Sequence, residues 1–272
     1  MKWFLMLLAL PAFLFPLASL VYILSHAWDS LSWSLIFGAE ESSSMIEAGQ
    51  GLWPQIIGSL WLMLWACILA LPVAISLALF HALYASRPQQ RGLMMILQLL
   101  QGIPPIVYGL CGLIVLVHLL HWGISLAAGG VILAVIVLPL LTSNMIHALE
   151  RIPAEQTESA KSLGLSPVQI IGRVWVPLVW SGFLTGLLLA MARALSETAP
   201  ILFTATVFSG VDWPDSMLSP VTSLQTHIFY LAQEGSDAHA VGVAWASAVI
   251  LLMLILCFSL LALALRRLEE KV

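Results

Sequence analysis

Residues 174–205 read VWVPLVWSGFLTGLLLAMARALSETAPILFTA, thirty-two positions in which Arg193 and Glu197 are the only charges. A bilayer core is crossed by about 20 apolar residues of helix, so this stretch is long enough to span one. Five further stretches, at 3–24, 53–85, 93–120, 124–148 and 241–265, have the same character. Across the chain 61% of the 272 residues are hydrophobic and only 9% are charged, whereas a soluble domain carries about a quarter charged. The mean hydropathy of +1.01 agrees. These values exclude a soluble enzyme, a collagen, a disordered chain and a secreted disulfide scaffold. The expectation is an all-α integral membrane protein with six transmembrane helices. It divides into a first helix and outer loop over 1–52, a transmembrane core over 53–265 and a short tail over 266–272.

Within the third stretch stand Pro104 and Pro105. Consecutive prolines remove two backbone donors and push the preceding residue out of the helical region. Residues 93–101 are therefore expected to form a separate short helix, with the crossing beginning near Pro104. The first stretch, at roughly 22 residues, exceeds the roughly 7–15 of a signal-peptide core, and is expected to be a retained span.

Placing the N-terminus inside puts Lys2, Arg87, Arg91, Arg151, Lys161, Arg173, Arg266, Arg267 and Lys271 on the inner side, nine of the ten basic residues. The outer loops then hold Asp29, Glu40, Glu41, Glu47, Asp212, Asp215, Glu234 and Asp237. Lys and Arg set orientation, so both termini are expected in the cytoplasm. Trp28, Trp33, Trp53, Trp122 and Trp213 fall near the expected interfaces, as an aromatic belt requires.

Chemistry-bearing motifs are few. Cys67, Cys111 and Cys257 lie at unrelated spacings inside apolar runs and read as small buried hydrophobes. His118 and His121 could share a helix face, but with no third ligand nearby they read as interfacial histidines, and no metal is expected. No phosphate-binding G-x-x-x-x-G-K-[ST] loop, G-x-S-x-G elbow or H-E-x-x-H is present. No catalytic residue, no cofactor and no nucleic-acid partner is expected for this chain. If ATP drives its work, a separate subunit must bind ATP and Mg²⁺.

The longest inner loop, 149–173, carries its own helix signals. Pro153 suits a first turn, Glu155 and Glu158 lie near its positive end, and Gly164 is placed to end it before Pro167. Physics alone leaves two readings, a docking helix for another protein or a solvated connector.

Here the chain resembles the permease subunits of ABC importers, which carry E-A-A, three residues, Gly, nine residues, then I-x-L-P. The counterpart is Glu158-Ser159-Ala160, three residues, Gly164, nine residues, then Val174-Trp175-Val176-Pro177, with Ser159, Val174 and Val176 as departures. The resemblance implies that Glu158, Ala160 and Gly164 form a coupling helix seated on an ATP-hydrolysing subunit, and that Pro177 opens the fifth span. Residues 191–205, MARALSETAPILFTA, resemble the A-R-A-x-G-E-T-A-P-L-L-F-T-A stretch of phosphate importer permeases, with Ser196 for the usual glycine. They fit the member of the permease pair whose motif continues T-A-P better than its homologue. Residues 103–110, IPPIVYGL, resemble that family's P-S-I-V-x-G-L, with Pro105 for serine. The resemblance implies a type I ABC importer permease fold in a prokaryotic inner membrane. It implies a homologous second permease subunit, two copies of a cytoplasmic ATP-binding subunit and an extracytoplasmic phosphate-binding protein. Sulfate or molybdate is the alternative cargo, and an ion-coupled secondary transporter the alternative class.

Arg193, the tenth basic residue, lies 17 residues beyond Val176, about 25 Å along a helix. A charge at that depth costs at least ~2.5–3.5 kcal/mol and should face protein or a water-filled path. Glu197 follows at i+4. The two form either a substrate pathway element or a permanent ion pair that locks helix packing. Pro200 is expected to end or bend this helix. Beyond it, Leu218, Val221, Leu224, Ile228 and Leu231 follow one helix face, so a short helix across the outer mouth is expected, as a gate, a docking platform or simple packing.

Overall fold

The computed structural model describes residues 2–37, 51–207, 214–233 and 238–269. Glu40, Glu41, Glu47, Asp212, Glu234, Asp237, Trp213 and Lys271 lie outside them. The described residues are almost all helical, in the order α1 (Lys2–Ala27), α2 (Trp33–Phe37), α3 (Trp53–Leu83), α4 (Arg87–Gly102), α5 (Pro105–Gly112), α6 (Leu126–Glu150), α7 (Ala154–Ser162), α8 (Pro167–Ile170), α9 (Val176–Leu195), α10 (Ala199–Thr204), α11 (Leu224–Gln233) and α12 (Ala238–Glu269). Five helical rods are long and apolar enough to cross a membrane, and the bent pair made by α4 and α5 supplies a sixth. In lipid every backbone polar group must be paired internally, which is why so apolar a chain resolves into helices.

The break at Ile103 and Pro104 falls where the two prolines place it, and α4 meets the α5 segment at 87°. The upstream helix is longer than the sequence suggests because Ser86 and Gln89 cap it reciprocally, the Ser86 N–H donating to Gln89 Oε1 at 2.9 Å.

At the centre, Met63, Ala70, Ala74 and Ala78 of α3 pack with Val137, Leu141 and Met145 of α6 and Ala190, Ala194 and Leu195 of α9. Small residues at these crossings let helix backbones approach closely, the main source of helix association in a bilayer. At one end of this bundle α7 packs beneath α3, α6 and α8. At the other end the segment 217–225 is laced between helix termini. The first free N–H groups of α6 are satisfied by it, Leu126 donating to the Ser219 carbonyl at 2.9 Å and Ala127 to that of Met217 at 2.8 Å. Val221 donates to the Ala205 carbonyl at 3.0 Å, and Val207 to the Val221 carbonyl at 3.1 Å. A Cβ on Gly58 would overlap the Thr222 carbonyl oxygen, so this close approach requires glycine in α3.

Several expectations change. Pro177 does not open the fifth span. Helix begins at Pro167 and runs unbroken to Leu195, because one wide turn over Ile171–Trp175 absorbs the bond that Pro177 cannot make to Arg173. The expectation for Pro200 holds: α9 ends at Leu195, shortly before it. The proline ring would clash with the carbonyl four residues back, so the chain breaks at Ser196–Thr198 and Pro200 sits in the first turn of α10. After α5 the helix continues in wide turns over Leu113–Leu119 and stops there, and His121 adopts a φ of 55°, so His118 and His121 share no helix face. Cys67 is buried, but Cys111 and Cys257 lie on exposed faces. The outer helix exists as α11 but begins only at Leu224, with Leu224 and Leu231 buried; Leu218 and Val221 both precede it, Leu218 exposed and Val221 buried.

Candidate functional site

Two groups of candidate residues occupy opposite ends of the rod formed by α8 and α9. Trp175 at its foot and Arg193 near its head are separated by about 27 Å of helix.

At the head, Arg193 Nη2 and Glu197 Oε1 form an ion pair at 2.5 Å. Although α9 ends at Leu195, the turn that follows keeps the i,i+4 spacing. Ser196 N–H donates to the Arg193 carbonyl at 3.1 Å and Glu197 N–H to the Ala194 carbonyl at 3.3 Å. Ser196 Oγ adds a bond to the Ala192 carbonyl at 2.8 Å. The pair is asymmetric. The Glu197 side chain is 6% exposed, whereas that of Arg193 is 47% exposed. A guanidinium carries five N–H donors, so an arginine held from one side by a buried carboxylate still presents donors outward. Pro200, just beyond, lies against Gly109 of α5, where a Cβ would come within 2.8 Å of the proline Cα. Pro104 and Pro105 set the start of α5, and Gly109 further along that helix makes the close approach to α10.

A buried network behind this turn was not visible in the sequence. Gln225 Nε2 donates to the Leu195 carbonyl at 2.8 Å, and Ser59 Oγ lies 3.0 Å from Gln225 Oε1. Ser59 Oγ also accepts the Leu224 N–H at 2.9 Å. Polar residues inside apolar periodic segments were the available signal. Near it, burial of His227 with its Nδ1 3.3 Å from Ser247 Oγ pushes its pKa down to about 4.

At the foot, α7 stands where the loop motif predicts a short helix. Ala160 is buried against Ile170 and Trp175, in a cluster that includes Leu79, Leu83 and Leu149. Gly164 has a φ of 75° and reverses the chain after the helix, with its N–H on the Lys161 carbonyl at 2.9 Å. Glu158 is exposed, as are the apolar Leu163 and Val168 beside it. Trp175 Nε1 donates to Thr157 Oγ1 at 3.1 Å and ties α7 to the rod. The helix is therefore fixed to the bundle along one side and exposed along the other. Among the described residues no cluster of three or more His, Cys, Asp or Glu could hold a metal.

The chain resembles known transport proteins along most of its length. It is 32% identical to a phosphate transport system permease protein PstA of Xylella fastidiosa, over 79% of this chain and 74% of the relative. It is 28% identical to a phosphate transport system permease protein PstC of Mesorhizobium japonicum, over 90% of this chain and 81% of the relative. Its fold matches a chain of a bacterial alginate ABC transporter, solved with an alginate pentasaccharide-bound periplasmic protein, with a TM-score of 0.69 at 16% identity, covering 99% of this chain and 96% of the other. It also matches the inward-facing MetNI methionine ABC transporter, with a TM-score of 0.57 at 19% identity over 81% of this chain and 94% of the other. The architecture is that of a type I ABC importer permease. The model of the binding-protein-dependent transport system inner membrane component family matches residues 70–271, which include both ends of the rod, and the chain belongs to that family.

Proposed function

We propose that this chain is one of two homologous permease subunits of an ATP-driven phosphate importer. The single observation that carries the reading is the asymmetric pair: a buried Glu197 holding a half-open Arg193 in the head of a membrane-spanning rod. Relatives named for phosphate transport support the cargo. A guanidinium stays charged at any working pH, and its planar fork suits a tetrahedral oxyanion. Glu197 offsets the cost of that charge within the bilayer when no anion is present. When phosphate arrives, the carboxylate remains close and weakens the grip, which allows release inward. A lone arginine would hold the anion too tightly to pass it on.

The driving force enters at the other end. The exposed surface formed by Glu158 of α7, Leu163 just after it and Val168 of α8 docks on a cytoplasmic ATP-hydrolysing subunit, one of two in the complex, and ATP and Mg²⁺ belong to that subunit. Closure of the ATPase pair moves α7, and the Thr157–Trp175 bond and the Ala160 contact pass that movement to the rod bearing Arg193. Both termini face the cytoplasm. An extracytoplasmic binding protein delivers phosphate to the head of the rod, and the exposed apolar face of α5 and the turn after it, with Ile106, Val107, Leu110 and Ile114, meets the second permease or lipid.

Phosphate uptake by the intact importer in proteoliposomes tests the reading. Arg193→Ala is expected to abolish uptake without loss of assembly, and Arg193→Lys to retain part of it. Near-normal uptake by a fully assembled Arg193→Ala complex removes the residue from the pathway. Uptake that follows a proton gradient rather than ATP removes the class.

A further inference from the structure

The turn between Arg193 and Glu197 has its backbone acceptors tied off in sequence. The Arg193 and Ala194 carbonyls take the N–H groups of Ser196 and Glu197. The next carbonyl, that of Leu195, takes its donor from another helix. Leu195 is fully buried, so this oxygen has no water to bond. Its partner is Gln225 Nε2 at 2.8 Å, donated from the first turn of α11, 30 residues further along the chain.

We propose that Gln225, oriented by Ser59, is a positioning residue that sets the geometry of the Arg193–Glu197 pair and ties it to the outer segment 217–225. The proposal rests on the reading of that pair as part of the substrate pathway.

Gln225 is itself 4% exposed, and its amide orientation follows from its two neighbours. Nε2 faces a carbonyl, which accepts, and Oε1 faces Ser59 Oγ at 3.0 Å. The Ser59 hydroxyl has one proton and two acceptors within reach, Gln225 Oε1 and the Gln55 carbonyl at 2.8 Å, while its oxygen accepts the Leu224 N–H. Ser59 therefore pins both α11 and the glutamine side chain to α3. Loss of the Nε2–H donor leaves the Leu195 carbonyl buried and unpaired. The turn relieves that cost by rotating, and Glu197, two residues on, is the side chain that moves. The outer segment is held by the bonds from α6, by the Gly58 contact and by the bonds of Val221 with Ala205 and Val207 beyond α10, and Gln225 is its direct hydrogen bond to the turn that carries the pair.

The test uses the intact importer in proteoliposomes, with phosphate uptake measured against the concentration of phosphate-loaded binding protein. Gln225→Met keeps the length of the side chain but removes the donor. Its maximal rate is expected to fall about five- to tenfold, the effect of one unpaired buried acceptor, with the half-saturating concentration unchanged. Ser59→Ala is expected to fall in the same direction and less, and Ser59→Thr, which keeps the hydroxyl, to restore the rate. In a Glu197→Gln background, Gln225→Met is expected to add less than about twofold, because it acts through the pair. A wild-type rate for Gln225→Met overturns the proposal, as does the same fold loss in both backgrounds, which marks a structural contact only. If Gln225→Met does not assemble, Ser59→Ala is carried through the same cycle and decides by the same criterion. Wild-type rates for both Glu197→Gln and Arg193→Ala overturn the pathway reading first, and this proposal with it.

Discussion

Trp175 Nε1 donates to Thr157 Oγ1 at 3.1 Å, so the indole at the foot of a membrane-spanning rod holds the helix that lies outside the membrane. Eighteen residues separate the two in sequence, and Ala160 of the same helix is buried in the cluster that contains Trp175. The bond fixes how α7 sits rather than whether it forms, and that distinction can be measured.

Trp175→Phe keeps most of the ring packing and removes the donor. The loss of one hydrogen bond, about 0.5–1.5 kcal/mol, leaves the complex assembled. The phosphate moved per ATP hydrolysed is expected to fall, while ATP hydrolysis itself continues. An unchanged ratio of transport to hydrolysis counts against transmission through this bond.

Gly164 stands at a φ of 75° with open space around the position of a Cβ. Gly164→Ala therefore meets no steric neighbour, and its cost is the backbone penalty alone, roughly 1–2 kcal/mol. The expected result is a weakened turn after α7, seen as increased proteolysis of the loop in the isolated permease pair and as reduced stimulation of ATP hydrolysis by loaded binding protein. Equal proteolysis of variant and parent shows that the turn tolerates the strain.

Gly58→Ala acts by collision instead. The new methyl overlaps the Thr222 carbonyl oxygen, and backbone on both sides is held by hydrogen bonds. Overpacking of this kind costs about 1–3 kcal/mol. A lower Tm of the detergent-solubilised complex is expected, together with reduced uptake, because the displaced segment carries Gln225.

The buried His227 predicts acid sensitivity at the outer end. Burial holds its folded-state pKa at about 4, below the value near 6.5 of an unfolded chain. The unfolded state then binds the extra proton first, so the stability contributed by neutral His227 is complete above about pH 6.5 and is lost as the pH falls towards 4. His227→Gln, which still reaches Ser247, is expected to flatten the fall of Tm over that window. A parallel fall in variant and parent assigns the acid sensitivity to other groups.

The arrangement of spans was readable because its causes are local. Pro104 and Pro105 break a helix wherever the rest of the chain lies, and an unbroken apolar run of bilayer length has one low-energy conformation in lipid. The helix at α7 was legible for the same reason, from Pro153 to the glycine that reverses the chain. Pro177 shows the limit of this reading. A proline in a continuous apolar segment can start a helix or be absorbed by a wide turn, and here the wide turn over Ile171–Trp175 carries the helix through to Pro177, with Trp175 and Ile170 packed in one cluster with Ala160. The i,i+4 spacing of Arg193 and Glu197 made their contact expected, but not that one would be buried and the other half open.

The sequence by itself determined how many times the chain crosses the bilayer, where it breaks and where its unusual charge lies, since hydrophobic length and proline chemistry act within a few residues. Only the tertiary structure decided which buried polar groups meet. The Leu195 carbonyl takes its donor from a residue 30 positions away, and that residue's oxygen faces a serine 166 positions away. Polar partners in a water-free interior are set by which helix ends are packed together, and no local pattern encodes that.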